Sequence, residues 1–252
     1  MDGISQNSTI VSLRGVSKTY VSGVQALEHF DLDIRPGEFV SILGPSGCGK
    51  STALRIIAGL SAASSGEVAW PSGAARIGFV FQDPTLMPWA SVANNVALPL
   101  KLAQREDPKR VASILQRVGL AEFASAFPRE LSGGMKMRAS IARALVTEPD
   151  LLLMDEPFAA LDEITRFKLN DDLLDLWRAS KRTVVFVTHS VFESVYLSQR
   201  IVVMTPRPGR VFTEIAIPAA YPRDDSFRTS AEYGALCAQV GLALRAAMGE
   251  AA

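Results

Sequence analysis

Cysteine and histidine are scarce in this chain, two of each in 252 residues. Cys48 and Cys237 cannot build a disulfide framework, and with so few histidines a structural zinc site is not expected. An excess of either charge is missing too, because 26 basic residues balance 26 acidic ones. A protein held to nucleic acid or anionic lipid by bulk attraction is usually basic, so no nucleic-acid partner is expected. No apolar run approaches the roughly 20 residues that span a bilayer. The opening MDGISQNSTI has neither the basic start nor the apolar stretch of a secretory signal. Internal repeats and low-complexity tracts are lacking. What the chain does have is a 48% hydrophobic fraction, in a length that fits one large α/β domain or two small ones. The expectation is a cytoplasmic globular protein.

The patterning changes along the chain. In the first forty residues apolar and polar positions alternate, with Leu27, Phe30, Leu32 and Ile34 placed as on a half-buried antiparallel strand. After a turn at Arg35–Glu38, short continuous apolar runs follow: Phe39–Leu43, Ile77–Phe81, Leu151–Met154, Val184–Val187 and Ile201–Met204. Such runs fit strands covered on both faces, as in a parallel sheet between helices. Val111, Ile114, Leu115 and Val118 follow the helical spacing, with Gly119 placed to end that helix. Leu169, Leu173 and Leu176 do the same, with Asp171, Asp172 and Asp175 turned outward. Residues 83–147 hold no convincing strand and read as a helical insertion. A last helix is expected over Ala231–Met248.

The strongest chemical signal is GPSGCGKS, Gly44–Ser51, between the run Phe39–Leu43 and a helix opening at Thr52. This is the phosphate-binding pattern G-x-x-x-x-G-K-[ST] in its proper strand–helix context. Gly44, Gly47 and Gly49 let the backbone through Pro45, Ser46 and Cys48 curl its N–H groups toward phosphates, at the positive end of a helix. Lys50 would reach the β- and γ-phosphates, and the Ser51 hydroxyl would hold Mg²⁺. LLLMDEP then ends a buried strand with Asp155 and Glu156, where ligands bind in open α/β sheets. Asp155 would serve the Mg²⁺ shell and Glu156 would polarise a water for attack on the γ-phosphate. LSGGM, Leu131–Met135, opens another helix: Ser132 is a good N-cap, and Gly133 and Gly134 allow close approach of phosphates from a second molecule.

In this order, the motifs from about Val11 to Val211 resemble the nucleotide-binding subunits of ABC transporters. The resemblance implies a P-loop NTPase fold of the α/β class, with a mostly parallel core sheet, an N-terminal antiparallel subdomain and a helical insertion. It implies an ATPase domain over 8–217 and a C-terminal tail over 218–252. It also assigns roles. Tyr20 would stack on adenine. Gln82 would touch Mg²⁺ and the attacking water, and Asp162 would lie in the loop that crosses between subunits. His189 would contact the γ-phosphate, while Ser132, Gly133 and Gly134 close over ATP held by a second copy. Each residue has a plainer alternative: an edge-strand aromatic for Tyr20, a solvated amide for Gln82, an N-cap for Asp162, a structural histidine for His189.

Some positions depart from the commonest pattern. Met135 stands where glutamine is usual, Met137 where a polar residue is usual, and Ala159 where serine is frequent. Methionine after the glycine pair resembles the nitrate, sulfonate and taurine importer ATPases, as do LMPW (Leu86–Trp89) and RPGR (Arg207–Arg210). The resemblance implies ATP and Mg²⁺ as cofactors, a second copy in an ATP-joined homodimer, separate permease subunits, and indirectly a solute-binding protein. It places the chain at the inner face of the cell membrane. Leu86, Met87, Pro88 and Trp89 are candidates for permease docking, with Trp89 as insertion core the alternative. Cys48, at a helix N-terminus, is expected to be sensitive to thiol reagents. The competing class is a soluble ABC-type ATPase that handles nucleic acid. A tandem ATPase domain, a long coiled coil or a basic face would mark it.

Overall fold

The computed structural model describes residues 9–249. The expected domain start at residue 8 and the last three residues of the tail, 250–252, lie outside the described residues. The chain divides into two compact units: the residues up to Ala75 with those from Thr183 onward, and Arg76–Arg182.

In the first unit, β1 (Val11–Thr19) and β2 (Gln25–Ile34) pair antiparallel, and β4 (Ser65–Ala69) adds to the other side of β1. The register sets Val11 against Ile34 and Leu13 against Leu32. The alternating side chains of β1 and β2 therefore fall on one buried face, as their spacing predicts. A second set of strands centres on β3 (Phe39–Leu43), buried at every residue and flanked in parallel by β7 (Thr183–Thr188) and β8 (Arg200–Met204). Its β-branched and aromatic residues fit a strand covered on both faces. β9 (Val211–Ala216) closes the edge antiparallel to β8. Strands β4 and β9 had no clear sequence signal, because their burial is mixed and their apolar residues sparse.

Among the described residues four helices complete this unit: α1 (Lys50–Ile57), α6 (Val191–Leu197), α7 (Asp225–Arg228) and α8 (Ala231–Ala247). The tail packs back through Leu236, Cys237 and Val240 against Val195, Ile201, Val203 and Ile215. Arg223 fixes it there, donating to the carbonyls of Val195, Tyr196 and Ser198 at the end of α6. Those carbonyls have no partner within their own helix, so a buried guanidinium is a fitting cap.

In the second unit, β5 (Ile77–Val80) and β6 (Leu151–Asp155) pair in parallel. Only Gly78 and Val80 of β5 are buried, so the expectation of a strand covered on both faces fails there. Between these strands no strand interrupts the helices α2 (Val92–Leu102), α3 (Pro108–Arg117) and α4 (Gly133–Leu145). Val96, Ile114, Leu115, Val118 and Ala142 share one apolar cluster. α5 (Glu163–Ser180) follows β6. Asp172 on α5 keeps 40% of its side chain exposed but also pairs with Arg138, and partial burial raises its pKa. Among the described residues no helix is long and apolar enough to cross a membrane.

Candidate functional site

β3 ends at Leu43, and the chain turns through Gly44–Gly49 into α1. Gly47 and Gly49 hold φ values of 77° and 108°, a region L side chains rarely enter. Space is short as well: a Cβ at Gly44 would lie 2.9 Å from Cys48 Sγ, and one at Gly49 would lie 2.6 Å from the Ala26 carbonyl oxygen. Lys50 is 3% exposed, and its ammonium lies inside the loop, donating to the carbonyls of Gly44 (2.9 Å) and Pro45 (3.0 Å). The helix start is unusual. The seven other α-helices of the described residues begin at a Ser or Asp whose side chain accepts from the first turn: Ser91, Asp107, Ser132, Asp162, Ser190, Asp224 and Ser230. α1 begins at Gly49, with no side-chain cap. A helix start that no side chain closes, behind a backbone cradle, suits an anionic ligand.

Other predicted residues of this unit gather at the same edge. Leu43 is in register with Thr188 on β7, so Gly44 and His189 leave neighbouring strands side by side. His189 is exposed, while both its neighbours are pinned. Thr188 Oγ1 donates to the buried Glu193 at 2.5 Å and accepts from the Ser190 N–H at 3.0 Å. Tyr20 follows the end of β1, and its hydroxyl lies 3.1 Å from Thr52 Oγ1 in the first turn of α1. Its ring is 38% exposed, with the Lys18 ammonium 5.4 Å from the centroid. Pro45, Ser46 and Ser51 are at least partly accessible. Cys48 is 1% exposed, which corrects the expectation of a reagent-sensitive thiol. Its backbone belongs to the cradle, while its sulfur fills the space beneath Gly44.

In the second unit, Val80 is in register with Met154, so Gln82 and the Asp155–Glu156 pair leave adjacent strands at the same end. Asp155 is 5% exposed, whereas Gln82 lies on the surface. Glu156 has φ 44°, uncommon for a residue with a Cβ, and its carbonyl accepts from the Ala159 N–H at 3.2 Å. Such backbone costs on the order of 1–3 kcal/mol and concentrates where side chains must be aimed. Ser132 caps α4 through the Met135 N–H at 3.2 Å, leaving Ser132 and Gly133 exposed and Gly134 buried. A Cβ at Gly134 would meet Thr165 Cγ2 at 2.7 Å, so the close approach of α5 favours glycine there. Asp162 caps α5 through the Thr165 N–H at 2.9 Å, and that bond holds its carboxyl below the usual carboxylate range. The N-cap alternative for Asp162 is thus realised, and it leaves the side chain exposed.

The unusual methionines have a packing reason. Met137 is 2% exposed, and Met135 packs against the apolar cluster of α2, α3 and α4. Trp89 is 76% exposed, so it is not core of the insertion, whereas Leu86 is partly buried against that cluster. Two residues behind this segment had escaped notice. Buried Asn95 accepts from the Met87 N–H at 2.7 Å and donates to the Met87, Ala90 and Ser91 carbonyls. Arg143 donates to the Pro84 and Thr85 carbonyls, both at 2.8 Å, and burial lowers its pKa. A polar residue on a helix face otherwise given to packing was the available signal for both.

A nucleotide's phosphates suit the first unit, since the cradle of Gly44–Ser51 is one that added Cβ atoms would fill. For Mg²⁺, Ser51 in the first unit and, separately, Gln82 and Asp155 in the second each offer the kind of hard oxygen donor that ion prefers. No group of three or more His, Cys, Asp and Glu that could hold a metal occurs among the described residues.

Comparison with known proteins agrees with this geometry. Residues 27–159 match the model of the ABC transporter family. The chain is 44% identical over 215 residues to the aliphatic sulfonates import ATP-binding protein SsuB of Bacillus subtilis, covering 83% of both chains. Among solved structures it is similar to an ATP-binding cassette seen as a dimer in a post-hydrolysis state bound to ADP and Pi. That match has 36% identity and TM-score 0.74, covering 83% of this chain and 100% of the other. It is also similar to CbiO1 of Clostridium perfringens, part of an ABC transporter complex. That match has 29% identity and TM-score 0.74, covering 84% and 90% of the two chains.

Proposed function

The chain belongs to the ABC transporter family as an ATP-binding subunit with ATPase activity, and from that premise we propose that it energises an importer for a small solute of the nitrate, sulfonate or taurine type. The observation that carries the nucleotide site is α1, the helix start that no side chain caps, behind the glycine cradle. The similarity to a sulfonate import protein supports the importer reading. ATP hydrolysis demands mainly positioning and charge stabilisation. In this reading Lys50 and the backbone of Gly44–Thr52 hold the phosphates, and Tyr20 stacks on the adenine. Ser51, Gln82 and Asp155 would hold Mg²⁺, which would supply charge neutralisation of the phosphates. Glu156 takes the proton of the attacking water, and His189 and Gln82 orient that water.

Ser132, Gly133 and Gly134 then close on ATP held by a second copy, with Asp162 at the crossing, in a C2 dimer with two nucleotides. The ATPase domain spans 8–217, with the helical insertion over 83–147, and the tail 218–252 is an accessory. The protein works at the cytoplasmic face of the membrane against separate permease subunits, with Trp89 on the docking surface. A solute-binding protein acts on it indirectly, and no nucleic acid takes part. The deciding experiment purifies the chain with its permease and measures ATPase activity as solute-loaded binding proteins are added. Stimulation by a sulfonate-, taurine- or nitrate-loaded protein is expected. A chain that copurifies with no membrane protein, and whose ATPase responds to DNA or RNA, would sink the reading.

A further inference from the structure

The RPGR segment, Arg207–Arg210, has no part in the function as described, yet it touches the phosphate loop directly. It lies in the turn between β8 and β9, in the same unit as the loop. The Arg207 guanidinium donates to the Gly47 carbonyl twice, from Nε at 3.0 Å and from Nη2 at 2.9 Å. The same peptide group is held on its other edge, because the Cys48 N–H donates to the Pro45 carbonyl at 3.3 Å. A planar trans peptide fixed at both its oxygen and its hydrogen cannot rotate. Gly47 and Gly49, on either side of Cys48, would otherwise be the most permissive residues of the loop.

The rest of the segment anchors Arg207. The Gly209 N–H donates to the Ala26 carbonyl at 2.9 Å, and the Glu28 N–H donates to the Gly209 carbonyl at 3.1 Å. This stitches the turn to β2. The same Ala26 oxygen stands where a Cβ on Gly49 would fall, so β2 is wedged between the two loops. Gly209 is itself so close to the Cys48 carbonyl that no side chain fits. Thr205 and Arg210 close the turn by exchanging hydrogen bonds at 3.0 Å, and Arg210 pairs with Glu28.

We propose that Arg207–Arg210 braces the phosphate loop, with Arg207 as a positioning residue that sets the Gly47–Cys48 peptide before nucleotide arrives. The proposal rests on the reading that Gly44–Ser51 holds phosphates. Its consequence is preorganisation: the ordering of a glycine-rich loop is completed in advance, so binding tightens without a change in the chemical step.

The test compares wild type with Arg207→Ala, Arg207→Lys and Lys50→Ala in the full chain. It measures ATP and ADP affinity, steady-state ATPase, and amide hydrogen exchange over residues 45–49. Arg207→Ala should weaken ATP and ADP alike by roughly tenfold, raise KM in step and leave kcat at saturation within about twofold. Its loop amides should exchange faster. Arg207→Lys keeps the charge but loses the two-pronged fork, and should fall between. If Arg207→Ala does not fold, the lysine variant decides alone, and wild-type affinity in it overturns the brace. The brace is also overturned if Arg207→Ala binds and exchanges as wild type while Lys50→Ala loses nucleotide, or if Arg207→Ala lowers kcat with KM unmoved. If Lys50→Ala itself binds normally, the phosphate-loop reading fails and the brace falls with it.

Discussion

α1 and α4 both open at a glycine-rich turn, but they open in different ways. At α1 the glycines adopt positive φ, and no side chain caps the helix. At α4 the glycines are already helical, and Ser132 caps the helix itself. The α1 glycines are fixed by backbone conformation, and Gly134 by the approach of Thr165 on the neighbouring helix. One turn is thus a backbone cradle at a helix start that no side chain caps. The other is a finished helix start whose serine and first glycine remain on the surface. The proposed division of labour builds on this difference: one turn would grip ATP and the other would cap ATP gripped elsewhere.

Stopping chemistry while leaving both turns intact exposes that division most strongly. Glu156→Gln should cut hydrolysis by about a thousandfold while ATP binding persists, and the chain should accumulate as an ATP-bound dimer on size-exclusion chromatography with light scattering. A variant that stays monomeric with ATP counts against capping by a second copy. Next in size is Ser132→Arg, which leaves the cradle whole and crowds the cap. ATPase should drop by about a hundredfold, whereas ATP affinity of the dilute monomer stays at the wild-type value by calorimetry. Weakened monomer binding would put both turns on one nucleotide and erase the distinction.

Glycine-to-alanine exchanges compare the two turns by stability alone. Gly49→Ala must hold φ 108° and press a methyl on the Ala26 backbone oxygen, which cannot retreat. A loss of about 3 kcal/mol in urea unfolding is expected. Gly134→Ala gains helix propensity of about 1 kcal/mol, set against its contact with Thr165, so its net loss should be smaller, about 1 kcal/mol. Adding Thr165→Ser removes that contact and should turn Gly134→Ala stabilising. Equal losses at the two glycines would mean the turns share one constraint after all.

The sequence disclosed the cradle because its glycines, lysine and serine are adjacent in the chain and their spacing is dictated by one ligand. The strands around it were legible for a similar local reason, since β3, β6, β7 and β8 carry near-continuous apolar runs. β9 and the RPGR turn were harder. Arg207 finds Gly47 across 160 positions, and no local pattern encodes that meeting. Arg143 was hard for the same reason, since it serves backbone 58 and 59 positions away, whereas Asn95 serves backbone only four to eight positions off and its polarity on a packing face was the signal. Burial of the Cys48 thiol depended on how tightly Gly44 and the β8–β9 turn close over it, which residue type alone does not tell.

The smallest effect separates two caps within the second unit. α4 is capped by a neutral serine and α5 by Asp162, whose carboxyl is held below its ordinary pKa chiefly by the Thr165 backbone N–H. A carboxylate with a lowered folded-state pKa contributes stability that is complete above its unfolded pKa. That stability fades as pH falls through the folded value. Between about pH 5 and pH 2, a window around the unperturbed aspartate pKa, wild type should therefore lose stability relative to Asp162→Asn. Asparagine still caps the helix but takes up no proton. Ser132→Asn, exchanging one neutral cap for another, should run parallel to wild type over the same range. The comparison is read from urea midpoints taken at half-unit pH steps. Parallel curves for Asp162→Asn and wild type would mean the carboxylate is no better placed in the folded chain than in the unfolded one, and that the α5 cap depends on geometry rather than charge.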